Sequence, residues 1–111
     1  MNREILFVAD AVAREKGVDK EVIFAALEAA LVSASKKKYG QDFNIQVNID
    51  RKTGAYKTSR LWEVLDDGAE LTNPEAQLHL ADAIQRDAGA AVGAFIEADL
   101  PPVEFGRIAA Q

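Results

Sequence analysis

The spacing of apolar residues changes once along this chain of 111 residues, at about residue 43. Before that point apolar residues recur every three or four positions, the period of an α-helix with one buried face. After it Phe43, Ile45, Val47 and Ile49 alternate with polar residues, the period of a half-buried strand. A chain that holds both periods in separate stretches is predicted to adopt an α+β fold.

The first 40 residues are predicted to form a helical hairpin. Asn2 can cap a first helix that Gly17 ends, and Asp19 can cap a second helix that ends before Gly40. The link is so short that the two helices must lie side by side. Their apolar stripes are Ile5, Leu6, Val8, Ala9 and Val12 in the first helix, and Val22, Ile23, Ala26, Leu27, Ala30, Leu31 and Ala34 in the second.

The rest of the chain is predicted to form a small antiparallel sheet with a short helix. Residues Asp50 to Gly54 supply a turn after the first strand. The apolar residues of the next strand share one face, but Arg60 interrupts their alternation. The predicted elements are a second strand over 55–65, a short helix near 80–87 and a last strand over 93–100, which Pro101 stops.

Phe105, Ile108 and Ala109 begin a helical spacing just before the last residue. A helix this short is marginal unless other elements support it. We therefore expect residues 1–111 to be a single domain of a longer protein, with the continuing helix packed on the hairpin as part of a helical body.

The formal net charge of −5 hides two regions of opposite sign. Residues 33–60 carry +5 and residues 61–105 carry −9. Lys36, Lys37 and Lys38 end a predicted helix, where the helix dipole alone would favour cations. If the following hairpin folds back beside that helix end, its cations extend the lysines into one basic face for phosphates or an acidic protein surface. This secondary basic face comprises Arg51, Lys52, Lys57 and Arg60.

Arg107 lies in the first turn of the last predicted helix, where the dipole disfavours a cation. A residue that breaks a local rule often serves a function, although a merely exposed arginine explains the position equally well.

The sequence shows no recognisable set of side chains for catalysis or metal binding, so an enzyme is the weak hypothesis. It has no cysteine, which excludes disulfides and zinc–thiolate sites. His79 is the only histidine, and Asp66, Asp67 and Glu70 lack the spacing of a calcium loop. We therefore expect no enzyme activity, no cofactor and no metal. No apolar run approaches the ~20 residues that a bilayer span needs, and a cytoplasmic location fits the absence of cysteine.

Three separated segments resemble one known family. They are MNREILFVADAVAREKGVDKEVIFAALEAALVSASKKKYG at the start, VNIDRKTGAY in the predicted hairpin and FGRIAAQ at the end. In this order they are similar to the N-terminal domain of the bacterial transcription elongation and termination factor NusA. The resemblance covers nearly the whole chain.

The resemblance implies a helical body with a small α+β head, and a domain that docks on the flap of the RNA polymerase β subunit near the RNA exit channel. It implies roles in pausing, termination and antitermination, with other antitermination factors joining through the full-length protein. It further implies that Lys36 to Lys38 and Arg107 face polymerase and the emerging RNA. We expect a monomer that does not bind membranes.

An alternative is a self-sufficient RNA-binding module that uses the basic 33–60 segment. Phe43 and Tyr56 are plausible stacking platforms within that segment. The acidic segment would repel RNA if it shared their face.

Overall fold

A computed structural model describes residues 3–106, and within this range the chain forms the predicted α+β fold. The helices are α1 (Arg3–Lys16), α2 (Lys20–Tyr39) and α3 (Leu80–Arg86). The strands are β1 (Asn44–Ile49), β2 (Tyr56–Leu65), β3 (Gln77–His79) and β4 (Phe95–Leu100), and Phe105 and Gly106 begin one further helical turn.

The helical hairpin forms where the sequence predicts it. Gly17 ends α1 in the left-handed region at φ 63°, a conformation that suits glycine. Asp19 caps α2, and its carboxylate accepts a hydrogen bond from the Glu21 N–H at 2.9 Å. Asn2, the predicted cap of α1, lies outside the described residues.

The sheet is mixed, whereas the sequence predicts an antiparallel one. The central strand β2 pairs with β1 and β4 in antiparallel fashion and with the short strand β3 in parallel. Residues 66–76 carry the chain back along β2 before β3 begins, and the Glu63 N–H bonds to the Ala76 carbonyl at 2.8 Å. Because β3 has only three residues, its sequence contains too little alternation to predict a strand.

Two hydrophobic clusters correspond to a body and a head. The body cluster joins α1, α2 and β1, and Phe105 completes it at 3% exposure. The head cluster packs Trp62, Val64 and Ile96 from the sheet against Ala83 of α3. The molecule measures 53 × 25 × 23 Å, so the clusters lie along an elongated shape.

Arg60 lies between the two clusters, which explains why it interrupts the apolar alternation of β2. Its guanidinium carbon is 3.8 Å from the ring centroid of Phe43, which packs on the body cluster. The same atom is 4.2 Å from the centroid of Trp62 in the head cluster. The stack keeps a cation between two rings at the boundary of body and head.

The acidic loop and the histidine have structural roles around α3. The Asp67 carboxylate accepts a hydrogen bond from the Ala81 N–H at 2.9 Å, which satisfies a free donor at the start of α3. Nε2 of His79 lies 2.6 Å from the Ala69 carbonyl. Because a carbonyl oxygen can only accept, this nitrogen carries the proton. Within residues 3–106 no helix has an apolar stretch long enough to cross a lipid bilayer.

Candidate functional site

The lysine run forms the last turn of α2. Gly40 follows it as the C-cap, and its N–H bonds to the Lys36 carbonyl at 2.9 Å. Lys37 and Lys38 are exposed, whereas Lys36 is half-buried. None of the three ammonium groups lies within 4.0 Å of a carboxylate in the described part of the chain, so all three charges remain open to an outside partner.

A cleft of about 460 Å³ opens beside Lys36. Its wall carries the amide side chains of Gln41, Asn44 and Gln77, together with the ring of Phe95. Phe95 is 54% exposed, which is unusual for a large apolar side chain. The cleft is also lined by Phe43 and by the carboxylates of Asp42 and Glu63, so the end of α2 combines open cations with a concave surface of mixed polar and aromatic character.

Arg51 of the β1–β2 turn is held by two glutamates of α2. Its guanidinium forms ion pairs with Glu21 and with Glu28, the latter at 2.8 Å, and donates to the Ile49 carbonyl at 2.8 Å. The Arg51 hydrogen bond lowers the pKa of Glu21. Burial alone would raise the pKa of Glu28, but hydrogen bonds from Arg51 and from the Ile49 N–H lower it overall. The same pairs raise the pKa of Arg51 further above its ordinary value.

The turn cations do not join the lysine run. Glu21, the partner of Arg51, lies in the first turn of α2, and the lysines lie in the last. At 1.5 Å per residue these two positions are separated by about 24 Å along the helix. β1 runs back along α2, so the turn lies at the far end of the helix from the lysines.

The other members of the secondary basic face also have internal partners, apart from Lys52. Lys57 lies 3.4 Å from the Asp99 carboxylate, and Arg60 lies 3.3 Å from that of Glu75. Much of the positive charge of residues 33–60 is thus balanced by carboxylates from other segments. The four cations of the predicted face therefore do not form one surface. Arg51, Lys57 and Arg60 form ion pairs within the domain.

An apolar groove that was not predicted from the sequence lies on the outer side of α1. Leu6 and Phe7 lie in a groove of about 450 Å³, and Phe7 is 75% exposed. Arg3, Lys20 and Lys52 also line the groove. Lys20 is paired with Asp10 at 3.2 Å, whereas Lys52 makes no ion pair among residues 3–106. A signal was present in the sequence, since Phe7 falls outside the predicted apolar stripe of the first helix.

Arg107 lies outside the described residues. The residue two positions before it, Phe105, is buried in the body cluster. Within residues 3–106 no group of three or more His, Asp or Glu side chains is arranged to hold a metal ion.

Comparison with known proteins places these features in a family. The family model for the NusA N-terminal domain matches residues 4–111. A transcription termination/antitermination protein NusA from Rickettsia prowazekii is 38% identical over 110 residues, and its counterpart from Rickettsia conorii is 36% identical. Each alignment covers 99% of this chain and 21% of the relative, so the chain spans about a fifth of their length.

A solved structure agrees with the sequence comparison. The solution structure of the N-terminal domain of NusA from B. subtilis superimposes with a TM-score of 0.72 at 34% identity. The match covers 99% of this chain and 86% of that one. The chain therefore belongs to the NusA N-terminal domain family.

Proposed function

We propose that this chain is the polymerase-binding domain of a termination and antitermination factor, acting on the flap of the β subunit near the RNA exit channel. The relatives that match it are termination/antitermination proteins. The observation that carries its placement near emerging RNA is the open cationic end of α2, where Lys37 and Lys38 face solvent without carboxylate partners in the described chain. Phosphates of emerging RNA are suitable partners for such a site, since each neutralised phosphate releases counterions.

The groove on α1 supports a separate contact with protein. A partner helix that places apolar residues on one side can lay them against Leu6 and Phe7. Lys52 at the rim of the groove makes no ion pair among residues 3–106 and favours an acidic residue at the border of that helix. We assign polymerase to this groove and RNA to the end of α2.

The proposed RNA contact comprises Lys36 to Lys38, with Arg107 included on the family resemblance. Lys52 is assigned to the groove. Arg51, Lys57 and Arg60 are left out of the contact, because a partner would have to compete with the carboxylates that already hold them.

The self-sufficient RNA-binding module receives less support. Its two stacking platforms are already in use: Arg60 lies over Phe43, Tyr39 stacks beside the same ring, and the Tyr56 hydroxyl bonds to the Val103 carbonyl at 2.6 Å. Salt-dependent binding of free RNA at about micromolar affinity, without binding to polymerase, would support the module instead.

The domain would alter pausing by preferring one state of the transcribing complex. A factor shifts an equilibrium only by its difference in affinity between two states. A preference of about 1.4 kcal/mol for the paused complex would shift that equilibrium tenfold. In this proposal the domain works as a monomer in the cytoplasm, performs no chemistry itself, and meets other antitermination factors through the full-length protein.

The first experiment is a pull-down of core RNA polymerase by this chain, with and without isolated β flap as competitor. We expect capture of polymerase and loss of capture when the flap is added. A Phe7→Ser variant tests the groove, and Val92→Ser, another exposed apolar residue, serves as its control. Capture that is unchanged by Phe7→Ser would place polymerase elsewhere on the domain.

The second experiment tests the lysines with a matched pair of variants. Lys37→Gln with Lys38→Gln removes two cations from the last turn of α2, and Arg14→Gln with Lys16→Gln removes two from the last turn of α1. Both variants lose the same charge and a similar dipole interaction. We expect only the α2 pair to weaken crosslinking to exit-channel RNA, by about tenfold. If both pairs of substitutions weaken crosslinking equally, the lysines contribute only through the net charge of the domain and not through a specific contact.

A further inference from the structure

β4 forms an open edge of the sheet. It pairs with β2, and no strand within residues 3–106 pairs with its other side. The Val64 N–H bonds to the Ala94 carbonyl at 3.0 Å. In an antiparallel pair every second residue bonds to the neighbouring strand, so this bond fixes which residues of β4 face β2. Even-numbered residues from 96 to 100 therefore bond to β2. Phe95, Glu97 and Asp99 direct their N–H and C=O groups away from the sheet.

The side chains at this edge are an aromatic ring and two carboxylates. Phe95, Glu97 and Asp99 share the sheet face opposite to the buried one, and Phe95 is 54% exposed. Lys57 is the only cation within 4.0 Å of Glu97 or Asp99 among the described residues, so the edge keeps a negative balance.

A second copy of this chain is a poor occupant for the edge. Antiparallel pairing of two β4 strands about Glu97 would place that carboxylate directly opposite itself. A parallel pair in register would oppose every acidic residue to its equivalent. Like charges that lie directly opposite in a sheet are destabilising. Pairing of β4 with β4 of a second chain is therefore unfavourable.

Charged residues also protect sheet edges from nonspecific pairing, and Glu97 and Asp99 fit that role. The half-exposed ring of Phe95 has the opposite effect, because it adds apolar surface at the start of the same edge. An edge that repels its own copies and offers three outward backbone pairs and an aromatic ring is suited to a partner of complementary charge.

We propose that an extended segment of a partner protein, with Lys or Arg at alternate positions, adds to β4 as a further strand of the sheet. Its backbone bonds to the outward groups of Phe95, Glu97 and Asp99, as in other cases of strand addition to a sheet edge. Its cations meet the two carboxylates, and an apolar residue covers the Phe95 ring. This contact does not use the α1 groove, but through the Phe95 ring it borders the cleft beside Lys36.

The probe is a capped peptide of alternating Lys and Thr with one central Val, labelled with a fluorophore, and its control replaces every Lys with Glu. We expect the Lys peptide to bind the 111-residue chain at least about tenfold more tightly than the Glu peptide. Equal binding of the two peptides, or no binding of either, would overturn the proposal.

Amide hydrogen exchange distinguishes strand addition from a loose electrostatic contact. In the free chain the amides of Phe95, Glu97 and Asp99 should exchange quickly, and those of Ile96 and Ala98 slowly, because only the latter two bond to β2. The Lys peptide should slow exchange at the first three positions. Binding that leaves these three amides unprotected contradicts the proposal.

Two variants give an independent test. Glu97→Pro removes an outward N–H without breaking the ladder to β2, and should abolish binding of the Lys peptide while thermal unfolding stays cooperative. Glu97→Gln keeps the N–H and should retain part of the affinity. If Glu97→Pro does not fold, Glu97→Lys with Asp99→Lys replaces it and should reverse the preference to the Glu peptide. An unchanged preference for the Lys peptide would refute the role of this edge.

Discussion

At the scale of single residues, Arg51 is a cation that stabilises the contact between β1 and α2 and is therefore not available to an outside partner. Its guanidinium bonds to the side chains of Glu21 and Glu28 and to the Ile49 carbonyl, and it lies over the ring of Phe24. Glu28 in turn accepts the outward Ile49 N–H at 2.9 Å. This network fastens the edge of β1 and the following turn to α2.

Replacing Arg51 with methionine should reduce the free energy of unfolding by about 1–2 kcal/mol, because the half-buried Glu28 carboxylate loses its charged partner. Both glutamates have a lowered pKa in the folded chain. Their contribution is therefore complete above the ordinary glutamate pKa of 4.5 and is lost as the pH falls below it. Urea unfolding of the unchanged chain and of Arg51→Met, at about pH 7 and about pH 3, measures this effect. The difference in their free energies of unfolding should be smaller at the lower pH.

The control is Arg14→Met, which removes an exposed ion pair with Asp10 on α1. Its effect should stay within about 0.5 kcal/mol at either pH. An Arg51→Met difference that stays constant down to the acid limit would mean that packing on Phe24, and not the ion pairs, supplies the stability.

At the scale of elements, the end of α2 determines how the lysines are presented. Gly40 has a φ of 146°, a conformation that L side chains rarely adopt, and a Cβ there would lie 3.3 Å from the Phe43 ring. This glycine lets the chain leave the helix directly after Tyr39 and enter β1. The lysine turn is thereby held beside the cleft that contains Phe95.

Gly40→Ala should destabilise the chain by about 1–3 kcal/mol, because the backbone must adopt a strained conformation or move. The phosphate contact proposed for the lysines should weaken with it, since the last turn of α2 would shift. Thermal unfolding measures the first effect and RNA crosslinking the second. Gly68→Ala, where a Cβ meets nothing within 4 Å, should change neither. Equal melting of the two variants would show that the Gly40 turn relaxes easily.

At the scale of the whole molecule, Arg60 couples the two hydrophobic clusters. It lies over Phe43 on the body side and over Trp62 on the head side, and one of its nitrogens donates to the Glu75 carbonyl at 2.5 Å. The clusters share one sheet but are made of different residues, so we expect this stack to help them unfold together.

Arg60→Ala should cost about 2–3 kcal/mol through the loss of two stacked cation–π contacts and their packing. It should also separate the unfolding of body and head. Trp62 is the only tryptophan and lies in the head cluster, so its fluorescence reports the head. Far-UV circular dichroism reports mainly α1 and α2 in the body. The two signals should coincide in the unchanged chain and diverge in the variant.

Arg86→Ala is the matched control, since Arg86 also lies over the Trp62 ring but is exposed at the end of α3. It should lower stability by less than about 1 kcal/mol and keep the two signals together. Coincident transitions in Arg60→Ala would mean that the sheet backbone alone couples body and head.

Most elements could be predicted because their signals are local. The cap at Asp19, the left-handed Gly17 and the turn from Asp50 to Gly54 depend on neighbours within a few residues. The parallel strand β3 could not be predicted, because it exists only through its pairing with β2. For the same reason the outward groups of β4 could not be recognised before its register was known.

The sequence by itself determined the family, the helical hairpin, the alternation of the first strand and the position of the lysine run at a helix end. These follow from short-range periodicity and capping, and from matched segments along the chain. Only the tertiary structure decided which cations remain open. Carboxylates distant in sequence approach Arg51, Lys57 and Arg60 because α2 packs on β1, β4 pairs with β2, and residues 66–76 return along β2. Net charge along a segment contains no information about such contacts.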